Sequence, residues 1–137
     1  MIDPASAVQL ASSALELAQY GGEALISLYR YYVDVKEAQI RAHDLRIEVG
    51  VCISLLHAIA ADLETETTMS LNTEQLKAAL NRFRVVIERL KVRVESKEVR
   101  GIRKLTWPFK KKENSELLDE IARCKATFSL ALNIEQR

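Results

Sequence analysis

The chain has 137 residues, 48% of them hydrophobic and 28% charged, with a net charge of +1. That length fits one domain with a core of its own, and the apolar fraction excludes a disordered chain. Two cysteines, Cys52 and Cys124, are too few for a disulfide framework and no basic leader opens the chain, so a reducing, intracellular setting is expected.

Asp3-Pro4 is a helix start, with Asp as the cap and Pro at the first helical position. It predicts a first helix from 4 to about 32. Only Glu16, Glu23 and Arg30 carry charge there; they lie seven apart, with Gln9 one heptad earlier. Residues seven apart share a face with a drift of about 20° per step. The helix therefore reads as apolar around most of its circumference, with one narrow polar stripe that Ser12, Ser13, Gln19 and Ser27 widen.

Two readings fit such a helix. It is the central helix of a bundle, touched on nearly all sides, or it has two destinations and can leave the fold for a bilayer. The segment is long enough, since about 20 apolar residues span a hydrocarbon core. A lone span is disfavoured, because each mid-membrane Glu costs on the order of 3 kcal/mol. An oligomer that turned Gln9, Glu16, Glu23 and Arg30 toward a shared polar lumen would lower that cost. Gly21-Gly22 sits mid-helix, either for close helix–helix packing or as a hinge.

Asp34-Val35-Lys36-Glu37 has the form of a capping box and opens a second helix to about Glu64. Thr65 to Ser70 reads as a loop. Asn72 or Thr73 caps a third helix to about Lys97, whose apolar residues Leu76, Leu80, Phe83, Ile87, Leu90 and Val94 alternate spacings of four and three. The longest non-helical piece is expected at roughly 98–112. A fourth helix carries Leu117, Ile121, Cys124, Phe128 and Ala131 or Leu132. No run alternates with period two, so the fold class is all-α, a bundle of four main helices forming a single domain over 1–137. The last residues, Asn133 to Arg137, hold no helix stop, and a longer natural chain is expected.

Charge is strongly segregated. Residues 77–112 hold thirteen Lys and Arg against three Glu, whereas the remainder holds seven basic and sixteen acidic residues. The densest part is Lys97, Arg100, Arg103, Lys104, Lys110, Lys111 and Lys112, interleaved with Leu105, Trp107 and Phe109. An apolar wedge beside a cationic one suits an anionic membrane surface or an acidic partner: each basic residue contributes about 1 kcal/mol near an anionic leaflet, and Trp favours the headgroup level. Alternatively, Trp107 and Phe109 plug the end of the bundle while the lysines stay solvated. Nucleic acid is a disfavoured partner, because no recognised module is present and aromatics are few.

Chemistry-bearing motifs are lacking. There is no Gly-rich phosphate loop, His43 and His57 are isolated, and Cys52 and His57 are five apart on different helix faces. Cys52 and Cys124 read as small core residues. Asp119-Glu120 and Asp62/Glu64 read as surface carboxylates. No nucleophile has a base beside it, so no enzyme, metal or cofactor is expected.

Several segments together resemble the HeLo-like N-terminal domains of fungal NLR-type (STAND) receptors and related cell-death executioners. These are Met1-Ile2-Asp3-Pro4, the helix end Leu28-Tyr29-Arg30-Tyr31-Tyr32-Val33, the segment Leu105-Thr106-Trp107-Pro108-Phe109-Lys110-Lys111-Lys112-Glu113, and Leu117 to Lys125 followed by Leu130-Ala131-Leu132. The resemblance covers nearly the whole chain. Its ends are distinctive and its middle, 36–100, is generic helix. It implies a helical bundle, similar to the four-helix executioner domain of the necroptosis pseudokinase, at the N-terminus of a larger receptor. It further implies self-association on activation, a move from cytoplasm to plasma membrane, contact with anionic lipid, and a role in programmed cell death or heterokaryon incompatibility. One departure matters: membrane-active members carry a more continuously apolar first helix, whereas Glu16 and Glu23 interrupt this one. The rival reading is therefore an interaction or oligomerisation module with no lipid step, and a further one is a regulatory domain that holds the receptor silent.

Overall fold

Apolar residues alternating at three and four positions give a helix one buried seam, and all four helices here are built on that pattern. The computed structural model describes residues 4–34, 36–65, 73–99 and 111–133. They form α1 (Pro4–Asp34), α2 (Lys36–Glu64), α3 (Thr73–Val99) and α4 (Lys111–Asn133). The protein is an all-α four-helix bundle. The predicted boundaries hold to within a turn. Positions 98, 99, 111 and 112, expected in the long connection, are helical.

The α3 seam, Leu76, Leu80, Phe83, Ile87, Leu90 and Val94, is fully in the core. So are Leu117, Ile121, Cys124, Phe128 and Ala131 of α4. α2 contributes Leu45, Val49, Cys52, Leu56, Ile59 and Leu63 in the same rhythm. α1 contributes mostly small side chains, Ala7, Ala11, Ala14, Ala18 and Ala24, between Leu10, Leu17 and Leu28. Phe83 and Phe128 meet edge to face at the centre, with ring centroids 6.0 Å apart and planes at 83°.

The helices sit at the corners of a square, with α1 beside α2 and α3, and α4 beside α3 and α2. Among the described residues the diagonal pairs make no backbone approach. α1 and α3 run the same way: Gln9 and Leu10 share a groove with Lys77 and Leu80, and further along Glu23 meets Lys91. α2 opposes α1, since Gly21 lies on Ile53 and Tyr29 on Arg46. α4 opposes α3, since Cys124 lies on Ala79 and Glu113 on Arg93.

The small residues of α1 let α2 come close. A Cβ at Gly21 would stand 3.1 Å from Cγ1 and 3.2 Å from Cδ1 of Ile53. Gly21 is thus a close-packing glycine, while Gly22 has nothing within 4 Å of such a Cβ. α1 runs unbroken through both, so the pair is no hinge in this state.

Candidate functional site

α1 occupies a corner, and this corrects the expectation of a central helix touched on nearly all sides. A corner helix in a four-helix bundle contacts two neighbours and leaves a broad arc to solvent. That arc carries the polar stripe, Gln9, Glu16, Glu23 and Arg30, all exposed. Beside it lie large apolar side chains that the reading of a narrow polar stripe placed inside: Val8 is 67% exposed, Leu15 38%, Ile26 56% and Tyr29 53%.

The polar half of the arc borders α3. Lys91 donates to Glu23 Oε1 at 2.8 Å, and its ammonium lies 4.7 Å from the Tyr20 ring centroid. The Glu23 hydrogen bond raises the Lys91 pKa above its ordinary value. Glu16 shares a groove with Tyr20, Arg84 and Glu88, and Gln9 shares one with Lys77, Asn81 and Arg84. The apolar half borders α2. There Arg46 lies 5.4 Å over the Tyr29 ring. A cavity of about 410 Å³ is lined by Leu25, Ile26, Tyr29, His43, Arg46 and Ile47.

Basic residues ridge the outer side of α3. Lys77 pairs with Glu74 at 3.6 Å, Arg82 with Glu120 at 3.4 Å, and Arg93 with Glu113. Arg84 and Arg89 hold no ion pair among the described residues. Lys111 and Lys112 open α4, exposed to solvent, where the positive end of the helix dipole adds to their own charge. Arg100, Arg103, Lys104, Trp107, Phe109 and Lys110 lie outside the described residues, as does the side chain of Lys97. Val99 and Lys111, which bracket that segment, stand at the end of the bundle where α1 also finishes.

Among the described residues the interior offers no reactive group. Burial pushes the Cys52 thiol up to about 12 and the Cys124 thiol to about 11. Cys52 faces the carbonyl of Ile121 at 3.9 Å and Cys124 that of Ala79 at 3.8 Å. His57 is exposed while Cys52 is buried, so the two do face different ways. Among the described residues no group of three or more His, Cys, Asp or Glu could hold a metal. Nor, among them, is any helix long and apolar enough to cross a membrane.

Sequence reasoning missed Val85 and Val92, both on the outer side of α3. The signal was available: Ala78, Val85, Val92 and Val99 recur every seven residues outside the core seam. No family model, no curated protein and no solved structure matches this chain. The surface must therefore be read from its own chemistry.

Proposed function

We propose that this bundle is the N-terminal signalling or execution domain of a fungal NLR-type receptor, acting by self-association at an anionic membrane surface. The observation that carries it is the outer arc of α1, where Val8, Leu15, Ile26 and Tyr29 stand exposed beside the charged stripe. An amphipathic arc on a helix whose inner face is mostly alanine can lie in an interface without first leaving the fold. The cationic residues support the same reading. Lys111 and Lys112 sit in solvent at a helix start, next in sequence to Trp107, Phe109 and Lys110, and the chain concentrates its positive charge there. The HeLo-like resemblance of the chain ends points the same way. Each of these bears on surfaces; the fold by itself implies no activity.

The bilayer contact in this proposal is interfacial for the single chain, and any lumen lined by Gln9, Glu16, Glu23 and Arg30 requires an oligomer. One observation favours the interaction-module reading: Glu23 is tied to α3 through Lys91, so the stripe already has a structural use. Leakage of anionic vesicles separates the two. Wild type, artificially clustered, should bind and permeabilise them, and Lys110/Lys111/Lys112→Glu should not. Failure of the clustered wild type both to bind and to permeabilise would overturn the execution reading.

A further inference from the structure

Three cations of α3 reach across to a neighbouring helix, and each meets a carboxylate there: Arg82 meets Glu120, Lys91 meets Glu23 and Arg93 meets Glu113. Lys77 and Arg84 break the pattern. They face the start of α1, where no residue from Pro4 to Leu15 carries charge. Among the described residues Lys77 pairs only with Glu74 of its own helix, at 3.6 Å on the exposed surface. Arg84 borders Glu16 and Glu88 in the next groove but pairs with neither.

What faces the two cations is a set of neutral donors. Ser6, Gln9 and Ser13 share one face of α1, at spacings of three and four, and Lys77, Asn81 and Arg84 share one face of α3, at four and three. Together they line a cavity of about 260 Å³ above Leu10 and Leu80, which are buried. All six side chains can donate a hydrogen bond and none is a carboxylate. α1 and α3 run the same way, so the positive ends of both helix dipoles lie at the Ser6 and Lys77 end. Such a lining selects an anion rich in acceptors. A phosphomonoester presents three terminal oxygens that accept, against two on a carboxylate. Lys77 and Arg84 are seven residues, about 10.5 Å, apart along the helix axis. The cavity also exceeds several times over the ~30 Å³ that one water takes in the liquid. There is room for the phosphate and for the group it is esterified to.

We propose that the groove between α1 and α3 binds a phosphomonoester, through the cations Lys77 and Arg84 and the neutral donors Ser6, Gln9, Ser13 and Asn81. The ligand supplies the negative charge that the start of α1 lacks. The site lies on the α3 side of α1 and does not rest on the membrane reading. Its phosphate belongs to a soluble ester or to a lipid headgroup, and the experiment separates the two. Glycerol 3-phosphate is titrated into the purified chain and followed by amide NMR shifts. Shifts should cluster at Ser6, Gln9, Ser13 and Asn81, with a Kd of about 1 mM or tighter. Lys77→Gln and Arg84→Gln should each weaken binding at least about tenfold, the loss of one charge-assisted hydrogen bond. Arg123→Gln removes one exposed charge from α4 and should change binding by no more than about twofold, because salt screens charges that far apart. All three positions are exposed, and circular dichroism verifies that helicity is kept. The absence of shifts at tens of millimolar overturns the proposal, as do shifts spread evenly over the basic surface. Equal losses for Arg84→Gln and Arg123→Gln overturn it too. Vesicles of phosphatidic acid and of phosphatidylglycerol, matched in surface charge, then assign the source. A preference for phosphatidic acid that Arg84→Gln abolishes makes the monoester a lipid headgroup, and equal binding makes it a soluble ester. Vesicle leakage, read on the same proteins, reports the membrane reading separately.

Discussion

Single side chains show how closely this bundle is fitted. Gly21 and Gly22 are neighbours with opposite prospects. Alanine at Gly22 meets nothing and gains helix propensity, so Gly22→Ala should stabilise by about 1 kcal/mol and raise the melting temperature by about 4 °C. Gly21→Leu must displace Ile53 and overpack the α1–α2 contact, at a cost of about 1–3 kcal/mol. Thermal melts of the two variants check both signs. The buried thiols give a pH dependence. Their folded pKa values lie above the ordinary value of 9.0, so the unfolded chain loses these protons first as pH rises. Stability from this source is whole below pH 9 and drains between 9 and the folded values near 11 and 12. Lys91 adds to the decline, since its raised pKa favours the folded state until it too deprotonates, above the ordinary lysine value of 10.5. Denaturant titrations across that range should show the midpoint falling, and a Cys52→Ala/Cys124→Ala protein should show a shallower fall.

At the scale of the element, what could be read from the sequence depended on whether one partner or several decide a residue's fate. The four-three seams of α3 and α4 were legible because one core takes them, and every residue of the α3 seam is buried. The start of α1 at Pro4 and of α3 at Thr73 followed from local capping chemistry. The outer arc of α1 was not legible. Val8, Leu15, Ile26 and Tyr29 are as apolar as their buried neighbours, and only the positions of α2 and α3 decide which face is left over. Gly21 was open between packing and hinge for the same reason: Ile53, which settles it, is distant in sequence. The clamp of Lys91 on Glu23 and Tyr20 gives this level its own prediction. An exposed ion pair contributes no more than about 1 kcal/mol, so Lys91→Ala should lower the melting temperature by no more than about 4 °C. It should nonetheless raise hydrogen exchange in α1 near Glu23 more than in α4, because it releases one of the ties between α1 and α3. Uniform change across all four helices would show that the clamp does not act on α1 in particular.

For the whole molecule, the distribution of charge matters more than its sum. A net charge of +1 predicts almost no long-range attraction to an anionic surface. Residues 77–112, with thirteen basic and three acidic side chains, predict strong attraction in one orientation. Ion pairs moderate that field, because Arg82, Lys91 and Arg93 each answer a carboxylate on a neighbouring helix. Arg84, Arg89, Lys111 and Lys112 have no such partner among the described residues, so the field at a surface depends on them and on the segment between α3 and α4. Binding to anionic vesicles should therefore weaken steeply with salt, since screening shortens from about 10 Å at 0.1 M to about 3 Å at 1 M. Neutral vesicles should bind poorly at any salt. Lys111→Gln/Lys112→Gln removes two exposed charges worth about 1 kcal/mol each at a charged leaflet, so vesicle affinity should fall roughly thirtyfold at low salt. The same change at Arg82, which already has Glu120, should cost less. Vesicle co-sedimentation across a salt series measures all of these. Equal losses at Arg82 and at the α4 lysines would mean that net charge, rather than its placement, draws the domain to lipid.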